Sequence, residues 1–174
     1  MDAGVSFRFS RESRIRIDRE GRFWHEGERV LNPRLERALA SWVDVDDPTG
    51  RYILRNSLDW CFVTVDDTPL VVRNVHVDEV GGGAELDLSD GSIESLVLSS
   101  LRVDPDGVVY CDVRKGRIPA RFDRSAAFAL LEHAEVTPEG VVTLCLGAVK
   151  CGVAPLRTGE GVRPRPARTT HPET

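Results

Sequence analysis

The chain writes one hairpin twice. Ile15 to Trp24 reads IRIDREGRFW and Leu101 to Tyr110 reads LRVDPDGVVY, a constant 86 residues apart. Each copy is a short alternating run, an acidic turn closed by glycine, and a run ending in an aromatic residue, which is how a β-hairpin is encoded. The turn also fixes the register. With Arg19-Glu20-Gly21 as a three-residue loop and the glycine left-handed, Asp18 pairs with Arg22. Ile17 then faces Phe23 and Arg16 faces Trp24; in the second copy Val103 faces Val109 and Arg102 faces Tyr110. A slip of one residue would set Ile17 beside Arg22 and scramble both faces.

The repeat extends past the hairpins. After the first, His25-Glu26-Gly27 makes a turn and Asn32 caps a helix that starts at Pro33, where a missing amide costs nothing. Leu35, Ala38, Leu39, Trp42 and Val43 form its apolar stripe. After the second, a helix is expected from about Ala120 to His133, with Phe122, Ser125, Ala126, Ala129 and Leu130 as its stripe, 87 residues on. Thr137-Pro138-Glu139-Gly140 matches Pro48-Thr49-Gly50, and Cys151 matches Cys61, both at a shift of 90. Four features in one order with this small drift predict a duplicated unit. Between the copies the pattern is all strand: Tyr52 to Arg55 with Trp60 to Val65, an Asp66-Asp67-Thr68-Pro69 turn, then Leu70 to Val80 returning through Gly81-Gly82-Gly83 into Ala84 to Ser89. Ile93 to Leu98 closes the meander after Asp90-Gly91. Phe7 and Phe9 alternate in the polar N-terminal segment and suggest an edge strand.

The expected fold is therefore α+β, in two duplicated halves, each a β-hairpin, one helix and further antiparallel strands. Residues 1–98 form the N-terminal half with the long meander, 99–157 the C-terminal half, and the Gly-, Pro-, Arg- and Thr-rich residues 158–174 a disordered tail.

Composition excludes several classes. A chain of 174 residues, 41% hydrophobic, buries an ordinary core. A net charge of −5 argues against a general nucleic-acid binder. No apolar run nears the ~20 residues of a membrane helix, so no membrane partner is expected. The N-terminus lacks an apolar stretch of signal-peptide type, so the protein is expected to be cytoplasmic. Cys61, Cys111, Cys145 and Cys151 show no C-x-x-C spacing and are expected to be reduced and mostly buried rather than zinc-bound or bridged.

RIRIDREGRFWHEGERV, DPTGRYIL, DWCFVTVDDTPLVV and LRVDPDGVVYCDV together resemble the bacterial family called domain of unknown function 1285, over roughly residues 14 to 156. The resemblance implies two related α+β halves, the second pleckstrin-homology-like, with a nucleotide-type ligand between them and a role in signalling. The chain departs from the family's A-P-F pattern at Thr68-Pro69-Leu70.

The residues offer few chemical constellations. Arg16 opposite Trp24 and Arg102 opposite Tyr110 are repeated cation–aromatic pairs, suited to a phosphate and a base; the commoner role of such a pair is a surface contact. His25 lies beside Glu26, but neighbours on a strand point to opposite faces, so a polar turn is the better reading. His76 with Asn74 and Asp78 forms a polar row, and Asp66-Asp67 an acidic turn, neither with enough ligands for a metal. No nucleophile motif, phosphate loop or dinucleotide fingerprint is present. The function expected is that of a non-enzymatic ligand-binding or sensor protein with a role in signalling, taking a nucleotide-like anion in the groove between the two halves at Arg16, Trp24, His25, Arg102 and Tyr110. No cofactor and no metal are expected. A protein–protein interaction module without a small ligand, working through the same groove or an edge strand, is the alternative.

Overall fold

A computed structural model describes residues 11–138, 141–157 and 162–163. The expected N-terminal edge strand, the Glu139-Gly140 turn and nearly all of the expected disordered tail lie outside these residues.

Both hairpins take the register their turns dictate. Strands β1 (Glu12–Ile17) and β2 (Phe23–His25) pair Arg16 with Trp24 and Ile17 with Phe23. The loop closes through Asp18 N to Arg22 O at 3.0 Å, with Gly21 at φ +74°. Glu26 and Gly27, both at positive φ, turn the chain into β3 (Glu28–Arg29). Asn32 then caps α1 (Pro33–Ser41), its Oδ1 accepting from the amides of Arg34 and Leu35. The helix stops at Trp42, earlier than its apolar stripe suggested. Val43 is buried in β4 (Val43–Asp46) instead, and Leu35 is left exposed. β5 (Arg51–Arg55) and β6 (Trp60–Val65) complete a meander that returns to lie parallel to β1. The six-stranded sheet runs β3-β2-β1-β6-β5-β4.

The chain then leaves this sheet. β7 (Leu70–Asp78), β8 (Gly83–Leu88) and β9 (Ile93–Ser95) form the expected antiparallel meander, followed by a 3-10 turn at Leu98–Ser100. The second hairpin joins β10 (Arg102–Val103) to β11 (Val109–Val113), with Arg102 opposite Tyr110, Val103 opposite Val109 and Gly107 at φ +80°. β12 (Ile118–Phe122) follows, and here the helix expectation needs correction. Residues 120–122 are strand, because Ala120 pairs with Cys111 on one side and Leu70 on the other. Asp123 caps α2 (Arg124–Leu131) through the amide of Ala126. Asn32 and Asp123 lie 91 residues apart, as do the buried Leu39 and Leu130, so the longer β12 absorbs the offset. Ala126 and Leu130 are buried as expected, whereas Ser125 is exposed.

β13 (Ala134–Val136), β14 (Val142–Leu146) and β15 (Val149–Gly152) make a three-stranded sheet, and β16 (Ala154–Pro155) runs parallel to β10. The parallel registers repeat: Arg16 opposite Thr64 and Ile17 opposite Val65 in one sheet, Arg102 opposite Ala154 and Val103 opposite Pro155 in the other. Leu54 faces Cys61 as Leu144 faces Cys151. The expectation of further antiparallel strands thus acquires three parallel joins, β1 to β6, β10 to β16 and β12 to β7.

The seven-stranded sheet, β16-β10-β11-β12-β7-β8-β9, draws strands from both sides of residue 98. One apolar cluster runs through both large sheets and both helices, from Ile17, Phe23 and Leu54 to Leu70, Val109, Leu130 and Leu144. No helix among the described residues is long and apolar enough to cross a membrane.

Candidate functional site

The site is built around the turn that carries the chain from one sheet to the next. Asp66 follows β6, and its amide donates to Ile17 O at 3.0 Å, which pins the turn to the first hairpin. Its carboxylate accepts from Arg16 Nη1 at 2.5 Å. Asp67, the next residue, accepts from the Tyr110 hydroxyl and from Arg121 Nη1, both at 3.2 Å. Thr68 is fully buried; its hydroxyl donates to Leu70 O at 3.0 Å and accepts from the Arg121 amide at 3.1 Å. One acidic dipeptide therefore holds the first hairpin with one carboxylate and the second with the other.

Each hairpin carries the same polar frame. Asp18 Oδ1 accepts from the amides of Glu20 and Arg22, and Asp104 Oδ1 from those of Asp106 and Val108. Trp24 Nε1 donates to Asp18 Oδ2 at 2.8 Å, and the Tyr110 hydroxyl shares its one proton between Asp67 and, at the longer 3.5 Å, Asp104 Oδ2. An aspartate that opens a turn can satisfy the loop's amides locally. The geometry leaves its second oxygen for the aromatic residue across the hairpin. Burial alone would push the Asp18 carboxyl up, but the Trp24 indole, the Arg22 amide and the Arg22 guanidinium outweigh it and hold it below the ordinary range.

The two pairs diverge in their arginines. Arg16, 43% exposed, stacks over Trp24 at 5.3 Å. Arg102, 17% exposed, is drawn instead to the buried carboxylate of Asp112 and makes no ring contact among the described residues. The expected pair of cation–aromatic contacts is thus realised once, since a buried carboxylate attracts a guanidinium more strongly than a ring face does. Arg102 Nε and the Tyr52 hydroxyl are buried without hydrogen-bond partners among the described residues.

Two phenols and one thiol are held in their protonated forms. Burial, then the charges of Asp67 and Asp112, raises the Tyr52 phenol; burial, Asp67 and Asp104 do the same to Tyr110. Both stay protonated near neutral pH, and of the two the Tyr110 hydroxyl is the one that donates a hydrogen bond among the described residues. Burial, followed by the charge of Asp112, pushes the Cys111 thiol up to about 12, away from nucleophilic use. Cys61, Cys145 and Cys151 are free and half-buried, so the expectation of mostly buried thiols fits Cys111 best. No cluster of three or more metal-ligating side chains occurs among the described residues.

Of the five residues singled out from the sequence, the fold brings Arg16 and Trp24 together and ties Tyr110 to them through Asp66-Asp67. Arg102 is sequestered with Asp112. His25 is exposed at the end of β2, opposite Ile15, on the other face of the hairpin from Arg16 and Trp24. Asp18, Tyr52, Asp66, Asp67 and Arg121 went unrecognised as parts of the site. For Asp18 the signal was present, since Asp104 repeats it at the hairpin's own shift.

No family model matches the chain, and no curated protein does. Among solved structures, the fold is similar to that of a DUF1285 family protein from Silicibacter pomeroyi DSS-3, with a TM-score of 0.67 and 21% identity, covering 82% of this chain and 80% of that one. A DUF1285 family protein from Shewanella baltica OS155 gives a TM-score of 0.57 and 17% identity over 71% of this chain and 94% of the other. The family resemblance carried by the hairpin and V-D-D segments is met at the level of the fold.

Proposed function

We propose that the protein is a non-enzymatic sensor that receives a nucleotide-like anion at Arg16 and Trp24, on the solvent side of the first hairpin. The observation that carries this reading is the half-exposed Arg16 guanidinium, stacked on an indole and held by a single carboxylate on a turn. A phosphate competes with Asp66 for the guanidinium and a base competes for the indole face. Exchange of Asp66 for the ligand loosens the turn, and Asp67, one residue on, holds Tyr110 and Arg121 of the second half. Binding at one hairpin thereby reaches the other. Arg102 and Tyr110 act in this scheme as the receiving side rather than as ligand contacts. The duplicated-unit organisation belongs to the same proposal, supported by the matched turn frames and the matched parallel registers.

The experiment is calorimetric titration of nucleoside monophosphates and triphosphates into wild type and Arg16→Ala. Binding lost in the variant at unchanged melting is the expected result, because a half-exposed ion pair contributes only about 0–1 kcal/mol to stability. Binding that ignores Arg16 removes the site.

A specific observation also favours a second reading, the protein–protein interaction module. Arg11 lies over Trp60 at 4.8 Å and Arg51 over Phe62 at 3.7 Å. Trp60, Phe62 and Thr64 alternate with the inward-facing Cys61, Val63 and Val65, and Thr64 lies opposite Arg16. The three cation–aromatic contacts among the described residues therefore fall on the outer face of the six-stranded sheet, and Trp and Arg are residues on which protein interfaces concentrate their energy. No nucleotide binding in the titration would transfer the role to this face.

A further inference from the structure

We propose that the cleft between α1 and the Asp90-Gly91 turn is a second binding site, for an oxyanion group carried by a small molecule. The cleft holds about 440 Å³ and is lined by Pro33, Arg34, Arg37, Ala38 and Ser41 from the helix and Asp90 from the facing turn. It stands apart from Arg16 and Trp24, so it does not depend on the reading given above.

The two arginines are what set it off. Many arginines are matched to carboxylates, Arg16 with Asp66, Arg22 with Asp18, Arg51 with Glu12, Arg102 with Asp112, Arg117 with Asp47 and Arg121 with Asp67, and Arg19 and Arg124, unmatched among the described residues, do not line this cleft. The guanidiniums of Arg34 and Arg37 have no ion-pair or hydrogen-bond partner among the described residues. Asp90 lines the same cleft yet does not neutralise them. Its buried carboxylate accepts from Ser92 N at 2.9 Å, Ser92 Oγ at 2.7 Å and Arg114 Nη2 at 2.5 Å.

Their placement also works against the helix. Arg34 lies in the first turn of α1, where the helix dipole disfavours a cation, and Arg37 one turn on at mid-helix, near enough for like charges to repel. The one acid of the first turn, Glu36, lies toward Arg29 at 3.9 Å. In a chain of net charge −5, no carboxylate among the described residues offsets this pair. An anion shared between them removes the repulsion.

The pair is also partly positioned in advance. Gly91 sits at φ +86°, and a Cβ there would come within 3.2 Å of Arg37 Cδ and 3.3 Å of its Nε, so the Arg37 stem lies directly against the turn. A paired guanidinium array recognises phosphate or carboxylate oxygens in bidentate fashion. The volume leaves room for the body of a ligand along Pro33 and Ala38, within the usual size of small-molecule sites.

The test uses the full chain with pyrophosphate and citrate as probes, followed by calorimetry and by the shift in melting temperature at low salt. Wild type is expected to bind at least one probe, and preference between them tells phosphate from carboxylate chemistry. In Arg34→Gln/Arg37→Gln, affinity should fall by about tenfold or more, as expected when paired charge-assisted contacts are removed. The comparison is made in an Arg16→Ala background, which removes any phosphate binding at the first hairpin, so a fall caused there by the double substitution belongs to this cleft alone. Both arginines are exposed, so the double variant is expected to fold with unchanged or higher melting in the absence of anion. Equal binding with and without the arginine pair, or no binding of either probe in the Arg16→Ala background, would each overturn the proposal.

Discussion

Aspartates do most of the positioning in this protein, one oxygen at a time. Asp18 and Asp104 divide their oxygens between the turn amides and an aromatic donor, while Asp66 and Asp67 divide the two hairpins between them. Where this division fails, a buried group is left over. The Tyr52 hydroxyl is such a group, partnerless among the described residues and facing the charges of Asp67 and Asp112, which with burial raise its pKa. An unsatisfied buried hydroxyl costs about 1–3 kcal/mol, so removing it recovers part of that. Tyr52→Phe should melt at or above the wild-type temperature. A clear loss of stability in that variant would mean that the hydroxyl has a partner in solution.

At the scale of elements, caps and glycines decide where structure starts and bends. Asn32 and Asp123 each accept helix amides through a side-chain oxygen, and each helix begins directly after its cap. The two hairpin glycines have the same left-handed backbone and different surroundings. A Cβ on Gly21 would lie 2.7 Å from Val71 Cγ2, while one on Gly107 would meet nothing within 4 Å. Gly107→Ala should therefore cost only the left-handed strain, about 1–2 kcal/mol. Gly21→Ala adds an overlap with β7, worth a further ~1–3 kcal/mol. Chemical denaturation of the two variants should rank them in that order; equal losses would show that the first hairpin is not seated on β7.

At the scale of the whole molecule, the second sheet is a joint product. β12 pairs with β11 from its own hairpin and with β7 from the meander of residues 70–95, and a single apolar cluster spans both large sheets. A shared core and a shared sheet predict one cooperative unfolding transition. Residues 1–98 expressed alone should fail to fold, because Leu70 to Val72 of β7 would lose their β12 partner and the shared apolar cluster its members from β11, β12 and α2. Two separated transitions, or a folded 1–98 fragment, would contradict this.

The sequence by itself determined what is local. Hairpin register, loop type, the Asn32 cap and the α1 start are set by turn residues and alternation within about ten positions, and each was legible there. It also carried the aspartate frame, repeated at the shift of the hairpins. What it left open depends on contacts far apart along the chain. Residues 120–122 satisfy a helical stripe equally well, and pairing on both sides, with β11 and with Leu70 to Val72 about fifty residues away, makes them strand. Arg102 and Arg16 occupy the same place in the repeat, but tertiary burial of Asp112 draws one inward and leaves the other stacked on Trp24 near solvent. Asp66-Asp67 reads locally as an acidic turn; its role in linking the hairpins exists only once both sheets are assembled around it. Local sterics and hydrogen bonding are written into neighbouring residues, whereas burial and charge pairing belong to whichever distant groups the fold brings near.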